Sequence, residues 1–406
     1  MAAIRKKVVF IGLNFFPEDT AIGLYSTQMV DALINAGYDL TVVTAVPYYP
    51  KWQIAAEYRG GPAYTTERYR GTKVYRYRFY VPSRPSFVKR ILHILSFGKG
   101  TYFNLKKVQN ADLVISVIPF TIAAALGRRL SRRLAAPHWI HIQDFEFGAA
   151  RQSGLAAKGL SGLFKALFRY EQKILMDAAV CSTISHAMMA KLKQKKATAT
   201  YLLPNWIDPA AINPATASPH PFYDRDRFNL LYSGNIGDKQ DWDFFLAFAK
   251  ALPTQDFLIT LVGAGSKMAW LKENCIMQHV RFHEPVPLSN LNDLLCGADA
   301  HFLFQKVTVT DTVMPSKLLG MMASAKPSLV TGHPDSEVRS VMATARAGRY
   351  LHEQNLEEAL QTVLQWKNDS SRPNANAATA RQYVINNYGK NEVLNKWIDR
   401  INELTA

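Results

Sequence analysis

The sequence predicts an α/β protein made of two doubly wound, parallel-sheet domains. Three observations predict it. Apolar runs of strand length alternate with segments of helical period along most of the chain. The 406 residues are too many for one compact core and suit two. A proline-rich stretch without period, PNWIDPAAINPATASPHP (Pro204–Pro221), separates the alternation into two series.

In the first series, Lys7–Leu13 and Asp39–Val46 read as strands around an amphipathic helix that ends at Ala36–Gly37. Lys73–Tyr80 and Asp112–Ile118 are further β-rich runs, followed by a helix over Ile122–Leu134 and a strand Trp139–Ile142. Ala178–Thr183 precedes a helix from His186, and Tyr201–Leu203 runs into the prolines. The second series opens with a strand Phe228–Ser233 and a helix from Gln240. Strands Phe257–Val262, Val280–His283 and His301–Phe304 alternate with further helices. A helix over Lys317–Ser324 and a strand Ser328–Val330 come next, and an amphipathic helix starts at Asn391. The expected division is a domain over 1–205, a linker over 206–225, a second domain over 226–385, and a terminal helix over 386–406 packing back toward the first domain. Open α/β sheets bind ligands at the carboxyl ends of their strands, so a site in a cleft between the two domains is expected.

Composition narrows the class. Hydrophobic content of 48% and charged content of 20% are those of a globular protein. Cys181, Cys275 and Cys296 are scattered without a C-x-x-C, which argues against a disulfide framework or a zinc site and fits a reducing cytoplasm. The first apolar run is too short for a secretory leader, and no stretch reaches the ~18 apolar residues of a membrane span. The formal net charge is +16, all of it from one half: residues 1–200 carry 29 Lys and Arg against 11 Asp and Glu. Charge confined to one half points to an anionic partner there: nucleic acid, lipid headgroups or a phosphorylated substrate. A recognisable nucleic-acid module with interleaved aromatics is missing, which disfavours the first. The helical stretch RPSFVKRILHILSFGKG (Arg84–Gly100) places Phe87, Ile91, Ile94 and Leu95 on one stripe, with Lys89, Arg90 and His93 off it. That pattern fits either an interfacial helix drawn to anionic lipid or burial in the protein's own core.

Several loops could carry chemistry. The opening loop lacks G-x-G-x-x-G, since Gly12 and Gly23 lie far apart, which disfavours a dinucleotide. In YSGNIGDKQ a strand ends at Ser233, Gly234 and Gly237 follow, and a helix is predicted to start near Lys239. Glycine backbone, a helix N-terminus and a lysine together suit a phosphate. MPSK (Met314–Lys317) puts Pro315, Ser316 and Lys317 at another helix start, and Gly263 lies in a third glycine turn, VGAGS. In HWIHIQDFEFG, His141 and Gln143 point to one side of a strand end and Asp144 to the other. This cluster is suited to positioning an acceptor hydroxyl or taking its proton. VPYYPKWQ brings Tyr48, Tyr49 and Trp52 to the same edge. The D-x-D pairs Asp224–Asp226 and Asp241–Asp243 fall in a linker and at a helix start, so no metal site is expected.

These motifs together resemble the family 4 retaining glycosyltransferases, whose two Rossmann-like domains form the GT-B fold. The subgroup that acts in exopolysaccharide synthesis is the nearest likeness. The resemblance spans nearly the whole chain through N-FF-PE-xxA-IG-LY, VPYYPKWQ, HIQDFE, PNW, YSGNIGDKQ and the PSK helix. It implies transfer of a sugar, fucose from GDP-fucose being the first candidate, onto an undecaprenyl-diphosphate-linked glycan. No cofactor or metal is implied. The enzyme would be cytoplasmic and peripheral on the inner face of the membrane, held to an anionic surface by the basic first domain. Donor contacts are implied at Gly23, Gly234, Asn235, Lys239, Gly263, Asp311, Pro315, Ser316 and Lys317. Acceptor-side contacts are implied at Tyr48, Tyr49, Trp52, Gln143 and Glu146, with Asp144, His141 and Lys239 nearest the chemistry. Many relatives carry Arg at the position of Asn235, and the pair of glutamates eight apart is replaced here by Thr312 and Gly320. That loss motivates the alternative of a non-catalytic glycan- or lipid-intermediate-binding protein of the same fold.

Overall fold

The computed structural model describes residues 5–83, 86–119, 121–145, 161–309, 315–368 and 371–406. It divides into two compact units, the first of Met1–Pro204 with Leu394–Ala406, the second of Asn205–Val393.

Unit 1 begins with β1 (Lys7–Ile11), α1 (Ala21–Asn35), β2 (Asp39–Ala45), the single-turn α2 (Ala56–Arg59), β3 (Tyr64–Tyr69) and β4 (Thr72–Tyr77). Then come α3 (Phe87–Leu105), β5 (Leu113–Ile118), α4 (Thr121–Leu134), β6 (His138–Ile142), α5 (Ser161–Met176), β7 (Val180–Thr183), α6 (His186–Gln194) and β8 (Thr200–Leu202). The strands lie in the order β3-β4-β2-β1-β5-β6-β7-β8, all parallel except the β3–β4 pair. β5, LVISVI, is buried along its whole length, the continuous apolar run that a parallel sheet covered on both faces requires. α4 turns Ala123, Ala124, Gly127 and Leu130 inward and keeps its arginines on the other side.

The β3–β4 hairpin is a departure from the expected all-parallel sheet. Its turn residues, Arg70 and Gly71, have φ of 47° and 83°, as a two-residue hairpin turn needs. Arginine at the first of these positions hides the turn, because the usual signal there is Asn or Asp.

Unit 2 runs through β9 (Phe228–Ser233), α7 (Trp242–Ala251), β10 (Phe257–Val262), α8 (Met268–Asn274), β11 (Val280–His283), α9 (Leu288–Gly297) and β12 (Ala300–Phe304). It continues with α10 (Ser316–Ala323), β13 (Ser328–Thr331), α11 (Glu337–Ala345), β14 (Gly348–Leu351), α12 (Leu356–Asn368) and α13 (Ser371–Tyr388). Its sheet, β11-β10-β9-β12-β13-β14, is wholly parallel. Phe245 stacks on Phe302 at 5.5 Å in a core rich in phenylalanine. The elements from α11 to α13 go beyond the sequence expectation; β14, GRYL, is four residues long and only its last is buried, too little for a period to show.

The proline-rich stretch is packed rather than free. Ile212 sits in the core of unit 2, and Arg381 donates to the carbonyls of Ile212 (2.6 Å) and Pro209 (3.0 Å). The last helix, α14 (Lys390–Thr405), gives its final turns to unit 1, where buried Trp397 meets Trp139 edge-on at 6.3 Å. Among the described residues, no helix is long and apolar enough to cross a membrane.

Candidate active site

In unit 2 the strand order reverses between β9 and β12, the place where open α/β sheets receive ligands. The loop after β9 begins at Gly234, whose φ of 139° is rarely open to other residues. Gly234 N–H donates to Val262 O and Ile236 N–H to Ala264 O, both at 2.9 Å, so the loops after β9 and β10 are zipped together. A Cβ on Gly263 would overlap the carbonyl oxygen of Gly234, so glycine is needed for this approach too.

Lys317 reaches this ledge from α10. Its Nζ stands 2.9 Å from where a Cβ on Gly234 would be. It donates to Tyr232 Oη at 2.7 Å and lies 4.4 Å from the centre of that ring. Tyr232 Oη in turn donates to Asn235 O at 2.6 Å. Burial pushes the Tyr232 hydroxyl well above its ordinary pKa, so it keeps the proton it donates. An ammonium is thus held in a fixed place beside bare backbone, an arrangement suited to an anion.

The two helix starts near this ledge differ. α7 begins at Trp242, later than the sequence predicts, because Asp241 is its cap: Asp241 Oδ1 accepts Phe244 N–H at 3.0 Å. The protein's own carboxylate therefore serves the helix start that the sequence assigns to a phosphate. Among the described residues, α10 starts after Pro315 with no side-chain cap and no acidic residue in its first turn. Ser316 is exposed at this start. Lys239 does not begin a helix; it is exposed on the turn, with its carbonyl accepting Lys306 N–H at 3.1 Å. The side chain of Asn235 is exposed beside Gly237 and Gly265. Two cavities of unit 2, of 430 and 790 Å³, open at the opposite edge, beside Gly348 and Phe228 where strands begin. Sheets of this kind do not use that edge for ligands.

In unit 1 the order reverses between β1 and β5. Here the structure supplies a residue that the sequence did not single out. Glu18 is buried in the loop after β1, and Oε1 accepts the backbone N–H of Tyr48 (2.7 Å) and Tyr49 (2.8 Å). Oε2 accepts Asn14 Nδ2 at 2.7 Å. Burial raises the Glu18 pKa, against these hydrogen bonds and the Arg76 charge, which lower it. Arg76, also buried, donates to the carbonyls of Ala45 (3.1 Å) and Phe16 (2.5 Å) and to Glu67 (2.7 Å). The loops after β1 and β2 are therefore tied into one piece. Tyr48 anchors the second, its ring edge-on to Trp52 (5.6 Å), Phe79 (5.2 Å) and His93 (5.2 Å), while Tyr49 is partly exposed.

A Cβ on Gly23 would lie 2.7 Å from Glu18 Cβ and Glu18 O, so the packing of Glu18 by itself requires glycine here. One sequence assignment is corrected. His141 is fully enclosed, with Nδ1 at 2.9 Å from Ser182 Oγ and Nε2 at 2.9 Å from Gln143 Nε2. Burial pushes its pKa down to about 3, leaving it neutral. It orients Gln143 and does not itself reach a substrate. Asp144 is exposed at the strand end, its Oδ1 accepting Phe145 N–H at 2.7 Å. Glu146 and Asp311 lie outside the described residues. Of the D-x-D pairs, Asp224 is bound to Arg227 at 2.9 Å and Asp241 is the helix cap; among the described residues no cluster of His, Cys, Asp and Glu could hold a metal.

Known proteins share this sequence and architecture. A glycosyl transferase 4-like domain matches residues 20–206. The chain is 32% identical to the putative colanic acid biosynthesis glycosyl transferase WcaI of Escherichia coli K12, over 97% of this chain and 99% of that one. Sucrose-phosphate synthase of Thermosynechococcus elongatus shares the fold with a TM-score of 0.72 at 14% identity, over 98% of this chain and 99% of that one. HepE of Anabaena, solved with UDP-glucose, does so with a TM-score of 0.66 at 11% identity, over 98% and 99%.

Proposed function

The chain belongs to the glycosyl transferase 4-like family of GT-B glycosyltransferases, and on that premise we propose that it moves a sugar from a nucleoside-diphosphate sugar to a lipid-diphosphate-linked oligosaccharide. The product is an exopolysaccharide of colanic-acid type, a reading supported by the likeness to WcaI. Fucose from GDP-fucose is the first donor to test. The acceptor is carried on undecaprenyl diphosphate, and the enzyme works from the cytoplasmic side as a peripheral protein on an anionic membrane.

One observation carries the donor assignment: the ammonium of Lys317, fixed by Tyr232 beside Gly234 at the carboxyl edge of β9. The departing nucleoside diphosphate gains negative charge as the anomeric bond breaks. Lys317, the uncapped start of α10 at Pro315 and Ser316, and the Gly234–Gly263 ledge would receive it, with Lys239 and Asn235 lining the same loop. Preorganised donors of this kind act without reorganisation in the transition state. The proposed transfer retains configuration by attack from the face the diphosphate leaves, the hydroxyl proton passing toward the departing phosphate. On the acceptor side, Tyr49, Trp52, Gln143 and Asp144 are the proposed contacts.

Thermal shift against GDP, UDP, ADP and dTDP, followed by transfer with the sugar nucleotides of the base that stabilises, tests the reading. Stabilisation by one nucleotide and turnover of its sugar is the expected result. No stabilisation by any of the four would sink it.

A further inference from the structure

α3 has two faces, and only one is explained by the fold. Its 19 residues form a rod of about 28 Å. The inner face buries His93, Phe97 and Asn104, and close approach is built in: a Cβ on Gly98 would overlap Ile122, and one on Gly100 would overlap the Tyr77 ring. The outer face presents Val88, Ile91, Leu92 and Leu95, spaced i, i+3, i+4 and i+7, with exposures of 64, 41, 50 and 55%. Four large aliphatic side chains in one exposed row mark an interaction surface rather than ordinary scatter.

The same side continues through Lys99, Phe103 and Lys106, all exposed. Lys106 Nζ lies 4.8 Å from the Tyr102 ring and 5.3 Å from the Phe103 ring, and Arg129 of α4 covers Tyr102 at 5.2 Å. Lys89 and Arg90 are exposed at the other end. The surrounding chain is free of negative charge: between Glu67 and Asp112 there are 11 Lys and Arg and no Asp or Glu. α4 holds no acidic residue either.

We propose that the outer face of α3 docks on an anionic lipid bilayer, its aliphatic row entering the acyl boundary and the flanking lysines and arginines meeting phosphate headgroups. An apolar row within a basic field matches that boundary on both counts. A protein partner or a second copy would need acidic complement, and the charge here repels a second copy. The inference names the surface behind the membrane partner of the proposed function and rests on that reading for its purpose.

The test is co-sedimentation of the full chain with vesicles of phosphatidylethanolamine and phosphatidylglycerol, beside pure phosphatidylcholine. The wild type is expected to bind the anionic vesicles at least tenfold more tightly, with binding falling as salt rises. Leu92→Gln with Leu95→Gln is expected to weaken binding at least tenfold. Lys99→Glu with Lys106→Glu is expected to remove the preference for the anionic vesicles. Unchanged circular dichroism and nucleotide-induced thermal shift show that the variants remain folded and keep their donor site. Equal vesicle binding by wild type and the Leu variant overturns the proposal. So does a wild type that ignores vesicles but forms dimers lost in that variant. Vesicle binding without any nucleotide stabilisation supports the docking face while removing the transfer reading, so the two fail separately.

Discussion

Replacing Lys317 by Met keeps the length of the side chain and removes its charge. The structural cost is small. Tyr232 loses one hydrogen bond, of about 1 kcal/mol, and a cation–π contact of roughly 0.5–1 kcal/mol. It keeps its bond to Asn235 O, so no buried hydroxyl is stranded. Folding stability should fall by about 1–2 kcal/mol, with the fold intact. On the proposed donor assignment the cost to transfer is larger, because the ammonium would face charge that appears only as the diphosphate departs. Removing one such preorganised donor costs ~3–4 kcal/mol, roughly a 10²–10³-fold loss of turnover. The assay is release of nucleoside diphosphate from the matched sugar nucleotide, with nucleotide affinity measured by calorimetry. Turnover should fall far more than affinity. Tyr232→Phe should fall less, since it leaves the ammonium in place but loosens it. Lys239→Met should also reduce transfer. Its exposed side chain must be ordered by the substrate, so more of its effect should appear in KM. Turnover of Lys317→Met within twofold of wild type would refute the donor assignment.

Other outcomes follow from the same contacts. Glu18→Ala strands the amides of Tyr48 and Tyr49 and the Asn14 side chain, each worth ~1–3 kcal/mol when buried unpaired. Chemical denaturation should show a loss of several kcal/mol, with faster hydrogen exchange over residues 46–55, and Glu18→Gln should lose less. An undisturbed loop in Glu18→Ala would show that the clamp is unimportant. Gly23→Ala should cost about 1–3 kcal/mol by overlap with Glu18, read as a lower melting temperature of unit 1. Burial holds His138 and His141 of unit 1 neutral, with pKa values pushed down to about 3. Because the folded values lie below the unfolded 6.5, their contribution is complete above pH 6.5 and is lost as pH falls toward 3. Each costs about 1.4 kcal/mol per pH unit, so the pair removes roughly 3 kcal/mol between neutral pH and 5.5. Equal denaturation midpoints of unit 1 at pH 7.5 and 5.5 would contradict this. Asp241→Ala removes the α7 cap at a cost of about 0.5–2 kcal/mol, again measured by thermal unfolding.

The sequence shows the parallel sheets because buried parallel strands are continuous apolar runs, as in LVISVI of β5 and FLITLV of β10. It shows Gly234 and Lys317 because a glycine after a strand and a lysine at a helix start are local signals. It does not show that the two meet, since Tyr232, which joins them, reads only as an apolar strand position. Glu18 was hidden for a similar reason. Its partners are backbone amides some 30 residues away, and backbone carries no sequence signature. The one clue is a lone acid pair in an otherwise aromatic loop, NFFPED. Alternation correctly places His141 and Gln143 on one side of the strand, where they bond to each other, but period cannot distinguish an open side from one covered by β7 and Ser182. Asp241 is legible in hindsight as an acid at a helix start, the ordinary cap signal, which a nearby lysine and two glycines outweighed.

The polar atoms at the two carboxyl edges are used differently. In unit 1 the buried charged and polar groups of this edge are spent on the chain itself: Glu18 on amides, Arg76 on carbonyls, His141 on Ser182 and Gln143. What this edge offers outward includes Tyr49, Trp52, Asp19 and Asp144, a stiff surface with aromatic area and exposed carboxylates. Such a surface suits a glycan, whose ring faces stack on aromatics and whose hydroxyls need an acceptor. In unit 2 the loops set glycine backbone beside the Lys317 ammonium, which Tyr232 holds, and beside the start of α10, while of the nearby described carboxylates Asp241 caps α7 and Asp238 pairs with Lys267. Exchanging the roles would bring a diphosphate to an edge whose arginine is already bonded to Phe16, Ala45 and Glu67 and whose Glu18 would repel it. The charge available at each edge, not the shared architecture, is what supports the donor on unit 2 and the acceptor on unit 1.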